Sequence, residues 1–415
     1  MTVNRSENEK KRAFERLLEY VKVWTTSDEN SDTVPSTDRQ FDLARLLVSE
    51  MKEIGIEDAR SDEKCYVYGS IPASPGYENR PAIGWLAHLD TAPDFSGQNV
   101  RPMVHKNYNG EAVDLPGGIT LSPEVFPSLA SLKGRTLITT DGTTLLGADD
   151  KAGIAEIMTA METVLDSGMP HGRICIAFTP DEEIGSGAGD LLLPAFGADF
   201  AYTIDGGAEN EIEYENFNAA SAVFAIAGRS VHPGSAKNTM VNASLIACEL
   251  NGMLPSAEIP SRTEGREGFY HLTSLQGSVD KAEVSYIIRD HSSERFDSKL
   301  ETLRLIEKVL NEKYGDGTVS LTIKMQYRNM IEKIRPCMHL IENARSVMQE
   351  LGLEPAEPPV RGGTDGAQLS FRGLPCPNLG TGGYAFHGPY EHITAEGMDT
   401  VVKVIVGIIE TYASA

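Results

Sequence analysis

Seven side chains in this 415-residue sequence have types suited to hydrolytic chemistry and stand at the ends of apolar runs: His88, Asp90, Asp149, Glu182, Glu183, Asp205 and His387. Imidazole nitrogens and carboxylate oxygens are ligands that zinc takes, and a carboxylate can bridge two ions. Two ions roughly 3.5–4 Å apart polarise a carbonyl and lower the pKa of a shared water. Such a pair takes about five side-chain ligands, which the set supplies once one helper and one base are set aside.

The spacing gives each residue a physical reading. On a strand end, positions i and i+2 face the same way, so Asp90 can hold the second ring nitrogen of His88 and fix its tautomer. A lone histidine is more often a hydrogen-bonded core residue. The neighbouring Asp90 and the convergence of the set favour a ligand here. Glu182 and Glu183 are adjacent, so their side chains diverge; one can bind metal while the other takes a proton from water. A bare Asp-Glu-Glu is otherwise a solvated turn. Asp149 and Asp150 precede an apolar helical pattern (Ile154, Ile157, Met158, Met161, Leu165). On their own they read as an acidic helix start, favoured by the helix dipole.

The elements that must position these residues are legible as short apolar runs. AIGWLA (82–87), ICIAFT (174–179) and FAYTI (200–204) have the look of buried strands. They release His88-Leu89-Asp90, Asp181-Glu182-Glu183 and Asp205 at their C-terminal ends, where open α/β sheets bind ligands. Helical patterns cover 8–23, 338–351 and 395–411. Another follows Ser36-Thr37-Asp38, which offers capping groups, and stops at Gly55. Residues 94–136 are loop-rich and read as an insertion or lid-like excursion. From 216 the pattern becomes strand, helix, strand, strand, helix, strand, the ferredoxin-like order. The expected organisation is an α/β catalytic domain, with a mixed sheet and helices on both faces, formed by 1–215 and 329–415. A ferredoxin-like βαββαβ lid, 216–328, is inserted into it. RGGTDGA (361–367) is a Gly-rich turn entering a short helix.

Composition excludes several functions. Sixty acids against 37 bases leave a net charge of −23, which argues against nucleic acid and anionic membranes. No G-x-G-x-x-G or Walker-type loop occurs. No run of 18 apolar residues occurs, and the N-terminus lacks an apolar signal-peptide region. The five cysteines stand alone, three of them (175, 248 and 337) in apolar patterns, which predicts buried thiols in a reduced compartment. The expectation is a cytoplasmic protein.

Several longer motifs carry a resemblance. HLDTAPDFSG (88–97), TTDGTTLLGADDKAG (139–153), FTPDEEIGSGA (178–188), YTIDGG (202–207), ENFNAASA (215–222), VHPGSAKNTMVNA (231–243), YIIRD (286–290) and RGGTDGAQLSF (361–371) resemble the peptidase T family of tripeptide aminopeptidases. These belong to the dizinc family that also holds aminoacylases, glutamate-releasing carboxypeptidases and succinyl-diaminopimelate desuccinylase. The resemblance runs from about 12 to 412. It implies two zinc ions, with cobalt or manganese as alternatives: His88 and Asp205 on one, Glu183 and His387 on the other, and Asp149 bridging through a residue whose bond to Asp150 is cis. It implies that Asp90 orients His88 and that Glu182 is the general base. His232 would stabilise the oxyanion once the domains close, and Arg289 would bind the substrate's terminal carboxylate. Gly362, Gly363 and Thr364 would line the substrate, although a plain glycine turn explains them equally. The implied partner is a small peptide, and a homodimer through the inserted domain stays open. A dipeptidase, carboxypeptidase or N-acyl amino acid deacylase with the same metal chemistry also stays open. The N-terminus is longer than in these relatives, polar and frayed in appearance. The tail GPYEHI after His387 departs from them, and His392 reads as a surface residue.

Overall fold

The computed structural model describes residues 11–414; the expected N-terminal fraying falls outside them. Two compact units are present. One comprises the chain up to Tyr214, Glu332–Pro358 and Thr364 onward. The other comprises Glu215–Ile331 and Pro359–Gly363.

The first unit is built on a seven-stranded mixed sheet. Its order is Arg60–Ser61, Val67–Ile71, Ile174–Thr179, Ile83–His88, Phe200–Gly206, Asn378–Gly380, Ile212–Glu213. The three strands expected to carry the chemistry are the parallel centre of this sheet, with His88 opposite Thr179. Both faces are covered, which explains their continuous apolar runs. On one face Trp85 stacks on Tyr202, whose hydroxyl donates to the carbonyl of Leu340 in the helix His339–Glu350. On the other, Leu86, Ala177 and Ala201 pack with Phe196 and Leu369 from two short helices. The helix Ala148–Ser167 lies against the strands Ile83–His88 and Phe200–Gly206. Gly153 permits that approach, since a Cβ there would meet the carbonyl oxygen of Ile204 at 2.0 Å.

The stretch 94–136 is less irregular than its composition suggests. Met103–His105 pairs with Leu137–Thr139 in a four-stranded sheet, and Val113–Leu115 pairs with Ile119–Leu121. These strands have three residues each, too short to show a period. The capping expectation at Ser36 is also corrected. Ser36 caps nothing in the helix Gln40–Ile54; its hydroxyl and backbone N–H both donate to Asp181.

The second unit is a four-stranded antiparallel sheet. Its order is Phe269–Gly277, Lys281–Asp290, Asn218–Ala227, Val319–Tyr327. The helices Ala243–Gly252 and Ser293–Tyr314 cover one face. Phe224, Ile246, Leu250, Val284, Phe296 and Leu303 lie in the core between them. This is the ferredoxin-like arrangement. A later segment, Pro359–Gly363, rejoins this unit. The backbone N–H of Val360 donates to the Glu215 carbonyl, and Arg361 donates to the carbonyls of Gly265 and Glu267.

Candidate metal centre

The C-terminal ends of the parallel strands, the start of the helix Ala148–Ser167 and the loop carrying His387 bring five of the seven residues into two overlapping groups. His88, Asp149 and Asp205 form one, and Asp149, Glu183 and His387 the other; within each, the ligand atoms lie within 4.8 Å of one another. Asp149 divides its two oxygens between them. Its Oδ1 is 3.0 Å from His88 Nε2, and its Oδ2 is 3.3 Å from His387 Nε2. His88 Nε2 is also 3.4 Å from Asp205, and His387 Nε2 is 3.0 Å from Glu183. The Asp149–Asp150 peptide bond is cis.

Each histidine has a partner at its other nitrogen. His88 Nδ1 is hydrogen-bonded to the backbone carbonyl of Asp90 at 3.1 Å, with the Asp90 carboxylate at 3.3 Å, and His387 Nδ1 lies 3.5 Å from the Asp94 carboxylate. That arrangement leaves both Nε2 atoms for the cluster. Asp90 also accepts the backbone N–H groups of Glu182 at 3.0 Å and Glu183 at 3.2 Å. One buried residue, Asp90, therefore sets the histidine on one strand end through its carbonyl and the glutamate pair on the next through its carboxylate.

Further buried carboxylates hold the loops, and the sequence did not reveal them. Asp150 turns away from the cluster and accepts the backbone N–H of His88 at 3.0 Å. Glu391, 1% exposed, accepts the N–H groups of Leu146, Gly147 and Asp149. Asp365 accepts from the Thr179 hydroxyl and the Ala188 N–H. Lys151 is buried, with its ammonium on the carbonyl of Val23. The one available signal for Glu391 was its place four residues after His387. His392 is corrected from surface to core. It is 0% exposed, stacks on Tyr384 and bonds the carbonyl of Tyr390 through Nδ1. Cys248, expected to be buried, is exposed, and Cys337 is half-buried.

The electrostatics fit divalent cations. Burial and then Asp205 push the Glu182 carboxyl well above its usual range. Burial and then Asp149 push Glu183 up to about 8. His387 is pushed up to about 11 by hydrogen bonds to Asp149 and then Glu183. Burial opposes ionisation of Asp149, yet His387 and His88 hold it below the normal carboxylate range. Glu183 Oε1 is buried and has no hydrogen-bond partner among the described residues. Clustered carboxylates, imidazole nitrogens facing inward and an orphaned oxygen are what a pair of cations would satisfy.

Of the remaining candidates, His232, Arg289 and Gly363 belong to the second unit and Thr364 to the first. His232 is exposed in the second unit, and its Nδ1 accepts the N–H of Gly234 at 3.1 Å. Its proton is therefore on Nε2, free to donate. Arg289 lies over the ring of Tyr327 and donates to the carbonyls of Ala220 and Ile288. A Cβ on Gly363 would meet that same ring at 2.9 Å. Thr364 is buried and caps the helix Asp365–Phe371.

A model of the peptidase family M20/M25/M40 matches residues 141–411. The chain belongs to that family. The peptidase is 53% identical over 404 residues to peptidase T of Clostridium perfringens, across 97% of this chain and 99% of that one. Its fold is shared with aminopeptidase PepT of Bacillus cereus, at a TM-score of 0.76 and 20% identity. It is shared equally with a tripeptidase of Staphylococcus aureus, at 0.78 and 21%; both matches cover 97% of this chain and 98% of the other.

Proposed function

We propose that the peptidase removes the N-terminal residue from tripeptides in the cytoplasm, using two zinc ions per chain. The observation that carries this reading is Asp149, with one oxygen in each of two overlapping donor groups. Full-length similarity to a protein named peptidase T supports the substrate class.

His88, Asp205 and Asp149 would hold one cation, and Glu183, His387 and Asp149 the other. When bound, such cations supply the Lewis acidity that polarises the scissile carbonyl and eases deprotonation of the attacking water. Glu182 takes the proton from that water and passes it to the leaving amine. The Nε2–H of His232 donates to the developing oxyanion. The guanidinium of Arg289 pairs with the substrate's terminal carboxylate, selecting short peptides by length. Asp90 keeps His88 in its productive tautomer and fixes the backbone from which Glu182 projects.

The test is a comparison of free tripeptides, dipeptides and N-acetyl amino acids with the purified enzyme. Release of the N-terminal residue from tripeptides, at the highest kcat/KM of the three classes, is expected. Turnover confined to the acylated compounds would overturn the reading.

A further inference from the structure

A cavity of about 500 Å3 lies wholly within the inserted unit. The loop between the helix Ala243–Gly252 and the strand Phe269–Gly277 forms one side, and the helix Ser293–Tyr314 the other. Asp290 lines it. Arg289 and Asp290 are successive on one strand, so their side chains leave opposite faces of the sheet. The cavity is therefore on the opposite face of the sheet from Arg289 and Tyr327.

Its floor is a charge cluster around the buried Lys299. Lys299 is 7% exposed, pairs with Glu258, lies 3.8 Å from Asp290 and sits 4.8 Å above the ring of Tyr270. Its mouth carries two exposed arginines. Among the described residues, the guanidinium of Arg295 has no hydrogen-bonded or ion-paired acceptor. That of Arg262 has only the carbonyl of Ser256, at 3.4 Å. With Glu267 also at the wall, three cationic and three anionic side chains line the cavity, so its formal charge is zero.

A pocket lined by side chains of both signs suits a ligand that itself carries both charges. With Glu258 and Asp290 paired to Lys299, the guanidinium forks of Arg262 and Arg295 match a carboxylate, and Glu267 is the acid left for an ammonium. The volume falls in the range of small-molecule sites. We propose that this cavity is a second binding site for a zwitterionic amino acid or dipeptide. Calling that ligand a product of the enzyme rests on the tripeptidase reading above; its binding does not.

The probe is glycylglycine, titrated calorimetrically into the metal-loaded full chain and into the Arg262→Ala/Arg295→Ala double variant. Both arginines are exposed, so the variant keeps its fold. The wild type is expected to show a binding event that the variant loses or weakens at least tenfold, while both hydrolyse tripeptide with equal kcat. Glycinamide, which lacks the carboxylate, and acetylglycine, which lacks the ammonium, are expected not to compete for this event. Identical isotherms for the two proteins would overturn the site. Competition by inorganic phosphate as strong as that by glycylglycine would overturn its zwitterion specificity. Absence of tripeptide turnover in both samples would sink the tripeptidase reading alone and leave the calorimetric result standing.

Discussion

Glu391 Oε1 accepts the backbone N–H of Asp149 at 2.9 Å, while its Oε2 takes the N–H groups of Leu146 and Gly147. A side chain four residues past His387 thus fixes the loop that carries the shared ligand. Burial pushes this carboxyl up to about 7, against the pull of those N–H groups. Glu391→Gln must turn an amide N–H2 toward at least one backbone N–H, since only one oxygen remains. The expected outcome is metal affinity weakened by about 10–100-fold, as for other groups that orient ligands. Chelator competition reads it directly, and wild-type retention of metal would remove the positioning role.

Glu182 and Glu183 separate by measurement. Glu182→Gln should lower kcat by about 10²–10⁴-fold with metal content and melting temperature unchanged. Glu183→Gln should lower metal content, because Glu183 belongs to the group with His387 and Asp149. Metal analysis beside steady-state kinetics distinguishes the two, and a Glu182→Gln rate within tenfold of wild type would sink its assignment as base.

The central strands and the ferredoxin-like unit were readable because burial on both faces and strict alternation each leave a pattern in the chain. His88, Glu183 and Asp205 were readable because each stands at the end of an apolar strand, whereas Asp149 opens a helix and His387 lies in a loop. What escaped was the layer beneath them. Asp181, Glu391 and Asp365 look like ordinary surface acids in sequence, and each is buried against backbone N–H groups from distant segments. Such pairings have no local period. His392 misled for the same reason: its burial comes from Phe126 and Tyr384, the former more than 250 residues away.

Removing the metals should destabilise the first unit as well as silence it. The cluster places Asp149 within 4.8 Å of Asp205 in one group and of Glu183 in the other. Cations that bind only the folded state stabilise it by about 2.7 kcal/mol each at a hundredfold excess over Kd. Dialysis against a chelator should lower the melting temperature, and added zinc should restore both stability and activity. Full activity after exhaustive chelation would contradict the metal assignment.

Arg289 should act through its fork geometry. Arg289→Lys keeps the charge and loses the bidentate pair. We expect kcat/KM for free tripeptides to fall at least tenfold, about 1.4 kcal/mol, through KM. C-terminally amidated tripeptides should be hydrolysed slowly by both proteins, at similar rates. An equal loss on both substrates would show that Arg289 supports the sheet and does not read the carboxylate.

His291 gives the second unit an acid sensitivity of its own. It is buried, donates from Nε2 to the carbonyl of Val360 at 3.0 Å and packs on Phe217. Its Nδ1 is buried without a hydrogen-bond partner among the described residues. Protonation there would add a donor with no acceptor, a costly state. Burial lowers its pKa to about 4, against the Val360 carbonyl and Glu215, with Arg266 and Arg361 adding to the fall. An unfolded histidine titrates near 6.5. The folded pKa is the depressed one, so this contribution to stability is present above about 6.5 and is lost as pH falls toward about 4. Between pH 7 and pH 5 the loss should be on the order of 1 kcal/mol. His291→Gln keeps a donor for Val360 and removes the titration. Urea midpoints at the two pH values should differ less in the variant than in the wild type, and equal differences would show that His291 is not the titrating group.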